Sequence, residues 1–262
     1  MRSCILLFCW AASCMAAEDR FDCVLNPSGL VKLGSPVPGQ LAEVVVQRGS
    51  LVKAGQPVAR LQSSVEAAAV NLMKAQAQSS AEVNAQTARL ELSRKKLDRS
   101  NKLISTHAVS QQDLDSLQAE LRVNEEDLAQ AEEQQSVARL QLARGLAELE
   151  VRTIRSPLQG VVTEKTLSAG EYVNEAGHIL TIASVDPLYV ETFLPLALYG
   201  HVMVGQSATI EIAEPLNGKY IARVSVVDPV IDAGSSTFGV RLSLPNSKGE
   251  IPAGLHCKIA FK

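Results

Sequence analysis

Two stretches of this chain are versions of one another, and a long segment of different character separates them. PGQLAEVVVQRGSLVKAGQPVARL covers residues 38–61, and LQGVVTEKTLSAGEYVNEAGHILTI covers residues 158–182. Gly39 matches Gly160, Leu41 matches Val162, Gly49 matches Gly170 and Val52 matches Val173, all at one offset of 121 residues. Allowing one extra residue, Gly55 matches Gly177 and Val58 matches Leu180. Short β-branched runs punctuated by glycine fit a small sheet sandwich. Neither half can bury its apolar face alone, so the two are expected to close on each other.

Between the halves the pattern is helical. From Ser64 to Ile104 there is neither Gly nor Pro, and Ala, Gln, Glu and Lys dominate. Val83, Leu90, Leu97 and Ile104 recur every seventh residue; Leu114, Leu121, Leu128 and Leu142 keep the same spacing after a turn, joined by Leu117, Asn124, Ala131 and Ala138. That is an a/d seam, which predicts two antiparallel arms of about 40 residues, each about 60 Å long. Asn124, Gln135, Ala131 and Ala138 make the seam weak as a free-standing core, so neighbours are expected to hold the outer faces.

After Ser184, Val185-Asp186-Pro187 reads as a turn or linker. SATIEIAEP, YIARVSVVDP, FGVRLSLPN and LHCKIAF then alternate as strands, with Asn217-Gly218 as a hairpin turn. A small barrel or sandwich follows. The composition agrees: 46% of residues are apolar but only 4% aromatic, so bulk comes from Val, Leu, Ile and Ala. A net charge of −3 gives no footprint for nucleic acid or a polybasic membrane surface.

The N-terminus, MRSCILLFCWAASCMAAED, has one Arg, a short apolar run, small residues and then charges, the order of a secretory signal over residues 1–17. Cleavage after Ala17 removes Arg2, leaving 24 basic against 28 acidic residues. A rival reading is a lipoprotein signal with Cys14 as acceptor, since Ala11-Ala12-Ser13 precede it. Cys23 and Cys257 remain in the mature chain, where an oxidising compartment invites a disulfide between them; the alternative, left open by the sequence, is two buried free thiols.

A split β repeat around a helical hairpin, followed by a β-barrel, resembles the periplasmic adaptor (membrane-fusion protein, HlyD/RND-adaptor) family of tripartite efflux systems, in a short form. The two halves resemble a biotinyl/lipoyl-like domain, and PLYVETFLP, VIDAGSSTFGVRLSLPN and IPAGLHCKI resemble the family's barrel. The implied fold class is α+β, elongated and multi-domain: N-terminal strand and first lipoyl half at 18–63, hairpin at 64–148 with its tip at 104–110, second lipoyl half at 149–184, and barrel at 185–262. Family members carry at the tip an Arg, a Leu four residues on and a Ser seven further; Arg99, Leu103 and Ser110 have that spacing, followed by QQDLD. The resemblance implies contact between this tip and a TolC-type outer-membrane channel, an inner-membrane transporter (RND-type first, ABC next) at the other end, a hexameric ring, and a periplasmic location tethered at the inner membrane. The family's further membrane-proximal domain is expected to be missing, since the segment from Glu18 to Gly39 offers only a strand or two.

Each tip residue also has a purely structural reading. Ser110-Gln-Gln-Asp113 is a capping box for the second helix; Leu103 closes the seam; Arg99 is solvated. No carrier lysine is expected, because the hairpin replaces the turn that would bear it and Met73-Lys74 lies within a helix. His107, His178, His201 and His256 are scattered without ligand spacing, and no P-loop, Rossmann or nucleophile-elbow motif is present. The expectation is a non-enzyme without cofactor or metal. The alternative is a secreted coiled-coil scaffold or chaperone that binds exported polypeptides.

Overall fold

The structure, a computed structural model, describes residues 20–103, 109–214 and 216–261. In chain order its elements are β1 (Phe21–Gly34), β2 (Gly39–Val44), β3 (Leu51–Val52), β4 (Pro57–Leu61), α1 (Ser64–Gln78), α2 (Ala81–Leu103), α3 (Gln111–Glu150), β5 (Thr153–Arg155), β6 (Gly160–Lys165), β7 (Tyr172–Val173), β8 (His178–Pro195), β9 (Ser207–Ile212), β10 (Gly218–Asp232), β11 (Thr237–Leu244) and β12 (His256–Phe261). The signal segment and Cys14 lie outside the described residues.

The two half-repeats form a sandwich by exchanging strands. One sheet runs β3-β6-β8-β1, the other β7-β2-β4-β5. The second strand of each half therefore pairs with the other half: Leu51 sits opposite Val161, and Tyr172 opposite Gln40. Loop hydrogen bonds repeat the exchange. Gly49 N–H donates to the Val162 carbonyl and Gly170 N–H to that of Leu41, both at 2.8 Å. Both glycines have positive φ, +87° and +90°, where a side chain would be strained. The apolar faces meet in a core of Leu41, Val58, Ile154, Val162, Val173 and Ile182.

Register gives the repeat a single offset. Leu41 pairs with Leu61 and Arg60 with Glu43; Val162 pairs with Ile182 and Thr181 with Glu164, with a bulge at the same place in each ladder. These positions keep the offset of 121 throughout. The extra residue inferred from Gly55 and Gly177 is thus a local shift inside one turn, and Ala59, not Val58, is the ladder equivalent of Leu180. The repeat also begins earlier than expected. Gly34 pairs with His178 as Arg155 pairs with Pro57, so β5 plays for the first half the part that the end of β1 plays for the second. Ser35 and Ser156, again 121 apart, each turn the hydroxyl onto the carbonyl two residues on.

Six strands, in the order β1-β12-β9-β10-β11-β8, close into a barrel through the β1–β8 pairing. Leu25, Leu188, Val190, Ile210, Leu242 and Ile259 fill it, all fully buried. Cys23 and Cys257 are directly opposed on β1 and β12, with Cα atoms 4.9 Å and sulfurs 2.13 Å apart. The Asn217-Gly218 pair does not make a two-residue turn. Gly218 already pairs with Ile212, and Asn217 ends a longer connection with φ +44°.

No linker separates barrel from sandwich. Along Cys23–Pro27, β1 pairs with Thr192–Leu188 in the barrel; along Gly29–Gly34 it pairs with Ser184–His178 in the sandwich. Val185-Asp186-Pro187, expected to be a turn or linker, is instead a bulge in the continuous β8, opposite Ser28, with a cis Asp186–Pro187 bond. A proline can stand here because a bulge asks for no ladder donor. The buried Asn246 holds the bulge from the β11–β12 connection. Its amide nitrogen donates to Val185 O at 3.0 Å and Ile251 O at 2.8 Å, its oxygen accepts from Ile251 N at 3.1 Å, and its backbone N–H reaches Asp186 Oδ1 at 2.9 Å.

The hairpin leaves the sandwich after β4 and returns at β5. Its first arm is not one helix, as the Gly- and Pro-free sequence implied, but two, parted at Ser79-Ser80, where Ser79 is extended (φ −69°, ψ 122°). The break shifts the phase of the buried positions. Val70, Met73 and Ala77 face the seam in α1, and Val83, Gln86, Leu90 and Ser93 in α2. Along α3, every position from Leu114 through Leu117, Leu121, Asn124, Leu128, Ala131, Gln135, Ala138 and Leu142 is buried or half-buried. The polar members have partners: Asn124 donates to Ser93, and Gln135 to the Ser79 carbonyl freed by the break, at 3.0 Å. Gly145 makes room for Met73, whose sulfur would lie 2.6 Å from an added Cβ.

Two outcomes are expected. Gly39 and Gly160 are repeat equivalents, but an added Cβ meets only the Arg152 and Leu61 side chains, at 3.2 and 3.3 Å, at the first and the Ala183 carbonyl oxygen at 2.2 Å at the second. Gly160→Ala should therefore destabilise by about 2–3 kcal/mol or more and Gly39→Ala by about 1 or less, read by urea unfolding. Asn246→Ala strands several buried polar groups and should lower stability by about 2–3 kcal/mol, against less than about 0.5 for Asn101→Ala on the hairpin surface.

Candidate functional site

The far end of the hairpin is built from the last turns of α2 and the first turns of α3. Basic residues gather at the C-terminus of α2 (Arg94, Lys95, Lys96, Arg99, Lys102) and acidic ones at the N-terminus of α3 (Asp113, Asp115, Glu120). Lys102 in the last turn of α2 and Asp113 in the first turn of α3 each complement the dipole of their helix end. The two arms are also tied to one another across the seam. Lys96 reaches Glu120 at 2.9 Å and Arg94 reaches Glu125 at 3.2 Å. All four side chains are more than one-third exposed, so these pairs align the arms with little net stabilisation.

Ser110 opens α3 with a capping box. Its hydroxyl accepts from Asp113 N–H at 3.2 Å and lies 2.6 Å from Asp113 Oδ2, to which the Ser110 N–H also donates at 3.3 Å. The hydroxyl's proton and one lone pair are thus committed within the chain. Leu114, one turn on, is 3% exposed and closes the seam from below, the part sequence reasoning offered to Leu103.

Arg99 and Leu103 are used differently. Four residues apart on α2, they lie on one face a single turn from each other. Leu103 is 47% exposed. The Arg99 Nε–H donates to the Lys95 carbonyl at 3.3 Å, and among the described residues the guanidinium has no acidic partner. A planar cation one turn from an exposed leucine can fork onto carbonyls or a carboxylate of another helix end while the leucine fills a groove there. Residues 104–108, including His107, lie outside the described residues, so the structure sets Arg99 beside Leu103 but does not join them to Ser110.

Elsewhere the other candidate positions read as structure. Met73 packs in the seam and Lys74 is exposed beside it. Among the described residues no group of three or more His, Cys, Asp or Glu is placed to hold a metal ion, and no helix is long and apolar enough to cross a membrane. Two features escaped sequence reasoning. The Ser-Pro pairs at 35–36 and 156–157 carried the 121-residue offset in plain sight; Asn246 had no motif to mark it.

Known proteins share this arrangement. Residues 30–184 match the CzcB-like, barrel-sandwich hybrid domain family, and residues 187–262 the CusB-like, beta-barrel domain family. The macrolide export protein MacA of Escherichia coli O157:H7 is 28% identical over 230 residues, 84% of this chain and 61% of that protein. The nickel-cobalt-cadmium resistance protein NccB of Alcaligenes xylosoxydans xylosoxydans is 27% identical over 241 residues, 89% of this chain and 56% of that protein. The chain thus spans about three-fifths of the length of these relatives. Among solved structures, MacA from Actinobacillus actinomycetemcomitans superposes with a TM-score of 0.75 at 21% identity, over 94% of this chain and 79% of that one, which is agreement in fold. With the strand-exchanged sandwich, the inserted hairpin and the closed barrel in one chain, and both domain families matched in that order, the chain belongs to the membrane-fusion-protein family of periplasmic adaptors.

Proposed function

We propose that this chain is a non-catalytic adaptor that couples an inner-membrane transporter to a TolC-type outer-membrane channel. The observation that carries the proposal is the tip: an arginine with no acidic partner among the described residues and a half-exposed leucine share one helix face, at the end of a hairpin held by a rigid β body. Ser110 contributes by fixing the start of α3, and the two helical arms work together as an antiparallel coiled coil. The transporter is of the RND type, with an ABC transporter next. Residues 1–17 direct secretion, with lipidation of Cys14 as the alternative tether, and copies pack side by side into a ring, a hexamer by family resemblance. The Cys23–Cys257 bond then forms after export and ties the first barrel strand to the last.

A photocrosslinking residue in place of Lys102 in living cells should capture an outer-membrane channel, identified by mass spectrometry. Arg99→Glu with Leu103→Glu should reduce that capture about tenfold or more, since it removes a charge-assisted contact and an apolar anchor together. The helical content of the purified protein should not change. Capture of diverse unfolded exported polypeptides instead would move the assignment to the scaffold or chaperone reading. Deleting residues 65–148 should abolish capture while the β domains still fold, read by far-UV circular dichroism and a cooperative thermal transition.

A further inference from the structure

The two ends of the barrel differ. One is joined to the sandwich through β1 and β8; the other is where β8 stops at Pro195 and β1 starts at Phe21. Residues 196–206 cross this free end from β8 to β9. They pass β11, where Tyr199 stands edge-on to Phe238 with ring centres 5.2 Å apart, and β10, where the Gly205 N–H donates to the Val224 carbonyl at 2.8 Å. Leu198 and Val202 pack into the barrel core. Leu196, Tyr199, Met203 and Val204 do not, and Met203 and Val204 are 66% and 67% exposed. The end of the β10–β11 hairpin lies alongside, tied by the Leu196 N–H on the Ser236 carbonyl at 3.0 Å. It adds Val230, 77% exposed, and the exposed Ile231.

These two segments are also poor in charge. Residues 192–210 form the longest run of the chain without Asp, Glu, Lys or Arg. Residues 229–237 hold only Asp232, whose Oδ1 accepts from the Gly234 and Ser235 N–H groups at 2.8 and 3.3 Å. A surface that recognises one protein partner normally rings its apolar centre with charge, which fixes orientation. An apolar loop beside an apolar hairpin end, with a tyrosine and almost no charge, has instead the composition that enters the interfacial layer of a bilayer. The covalent connection points the same way. Residues 1–19 join the barrel at this end, so whatever holds them at a membrane holds this end there too. Cys14, the alternative lipid acceptor, lies at most about 22 Å from Arg20 along a fully extended chain.

We infer that the free end of the barrel is a lipid-binding face: Met203 and Val204 on the crossing segment and Val230 on the β10–β11 hairpin enter the phospholipid surface of the inner membrane. This rests on the periplasmic location proposed above. It adds a contact that needs neither a transporter nor a lipid on Cys14. The driving force is removal of exposed apolar side chains from water, so the contact is indifferent to the headgroup's charge.

The test uses residues 18–262, the chain left by cleavage after Ala17, floated with vesicles of phosphatidylcholine alone and of phosphatidylethanolamine with phosphatidylglycerol. The protein should float with both, and high salt should not release it, because the contact is apolar. Met203→Asp with Val204→Asp should reduce the bound protein about tenfold or more. Leu72→Asp with Leu140→Asp, which removes comparably exposed side chains from the hairpin, should leave it unchanged. No flotation, release by salt, or an equal loss in the hairpin variant would overturn the proposal. Depth of entry has its own readout, since Trp10 is the one tryptophan and precedes residue 18. On vesicles the emission of Val204→Trp should move to shorter wavelength and be quenched by brominated lipid. That of Leu51→Trp, exposed on the sandwich, should do neither. Equal quenching of both, or of neither, counts against the lipid face. No channel or transporter is present in either assay, and the Lys102 crosslink needs no lipid contact, so the two readings fail separately.

Discussion

The exchange of β3 and β7 between the half-repeats is the constraint on which the rest depends. Each half lacks the strand that would finish its own sheet, and only the other half can supply it. A two-residue edge strand has little stability of its own. It persists here because Val52 and Val173 enter a shared core, at 2% and 0% exposure, and because the loops on either side are hydrogen-bonded across the exchange. That closure brings residues 61 and 153 into one sheet and gives the hairpin a fixed base. Arg152 tightens it, with Glu66 at 2.7 Å where α1 begins.

Much of this could be read in the sequence because both signals were periodic. A constant 121-residue offset identified the sandwich, and a seven-residue spacing found the seam of α3 almost position by position. What could not be read was local geometry that has no period. Ser79-Ser80 contains no helix breaker of the usual kind, and the break shows only in the changed phase of buried residues between Ala77 and Val83. Val185-Asp186-Pro187 has the composition of a turn yet continues a strand, because a bulge and a buried asparagine satisfy the backbone groups that proline leaves awkward. At the tip, the Arg-Leu-Ser spacing was visible, but not that the serine is bound into a cap while the arginine is left with a backbone carbonyl.

Polar residues in the seam have a physical role of the same kind. Asn124 and Gln135 looked like weaknesses in an apolar stripe. In the structure one meets a buried serine of the facing helix and the other takes up a carbonyl released by the break. Shifting either arm by one residue would strand these groups in a partly buried place, so they fix alignment where small side chains such as Ala131 and Ala138 fix little. The axial position of the tip relative to the β body follows from that alignment.

The strand β1 has a consequence for how the chain reaches this state. Its first half is flanked by β12 and β8, so the barrel's earliest-synthesised strand must wait for the last one, whose Cys257 stands opposite Cys23 with a sequence separation of 234 residues. Contacts this distant along the chain are reached late and carry a loop-closure penalty before they stabilise anything. The helical arms, built from near neighbours, have no such delay. The barrel of such a chain stays open until β12 has been made, whereas the sandwich, whose strands all lie before Pro195, can close while the barrel is still unfinished.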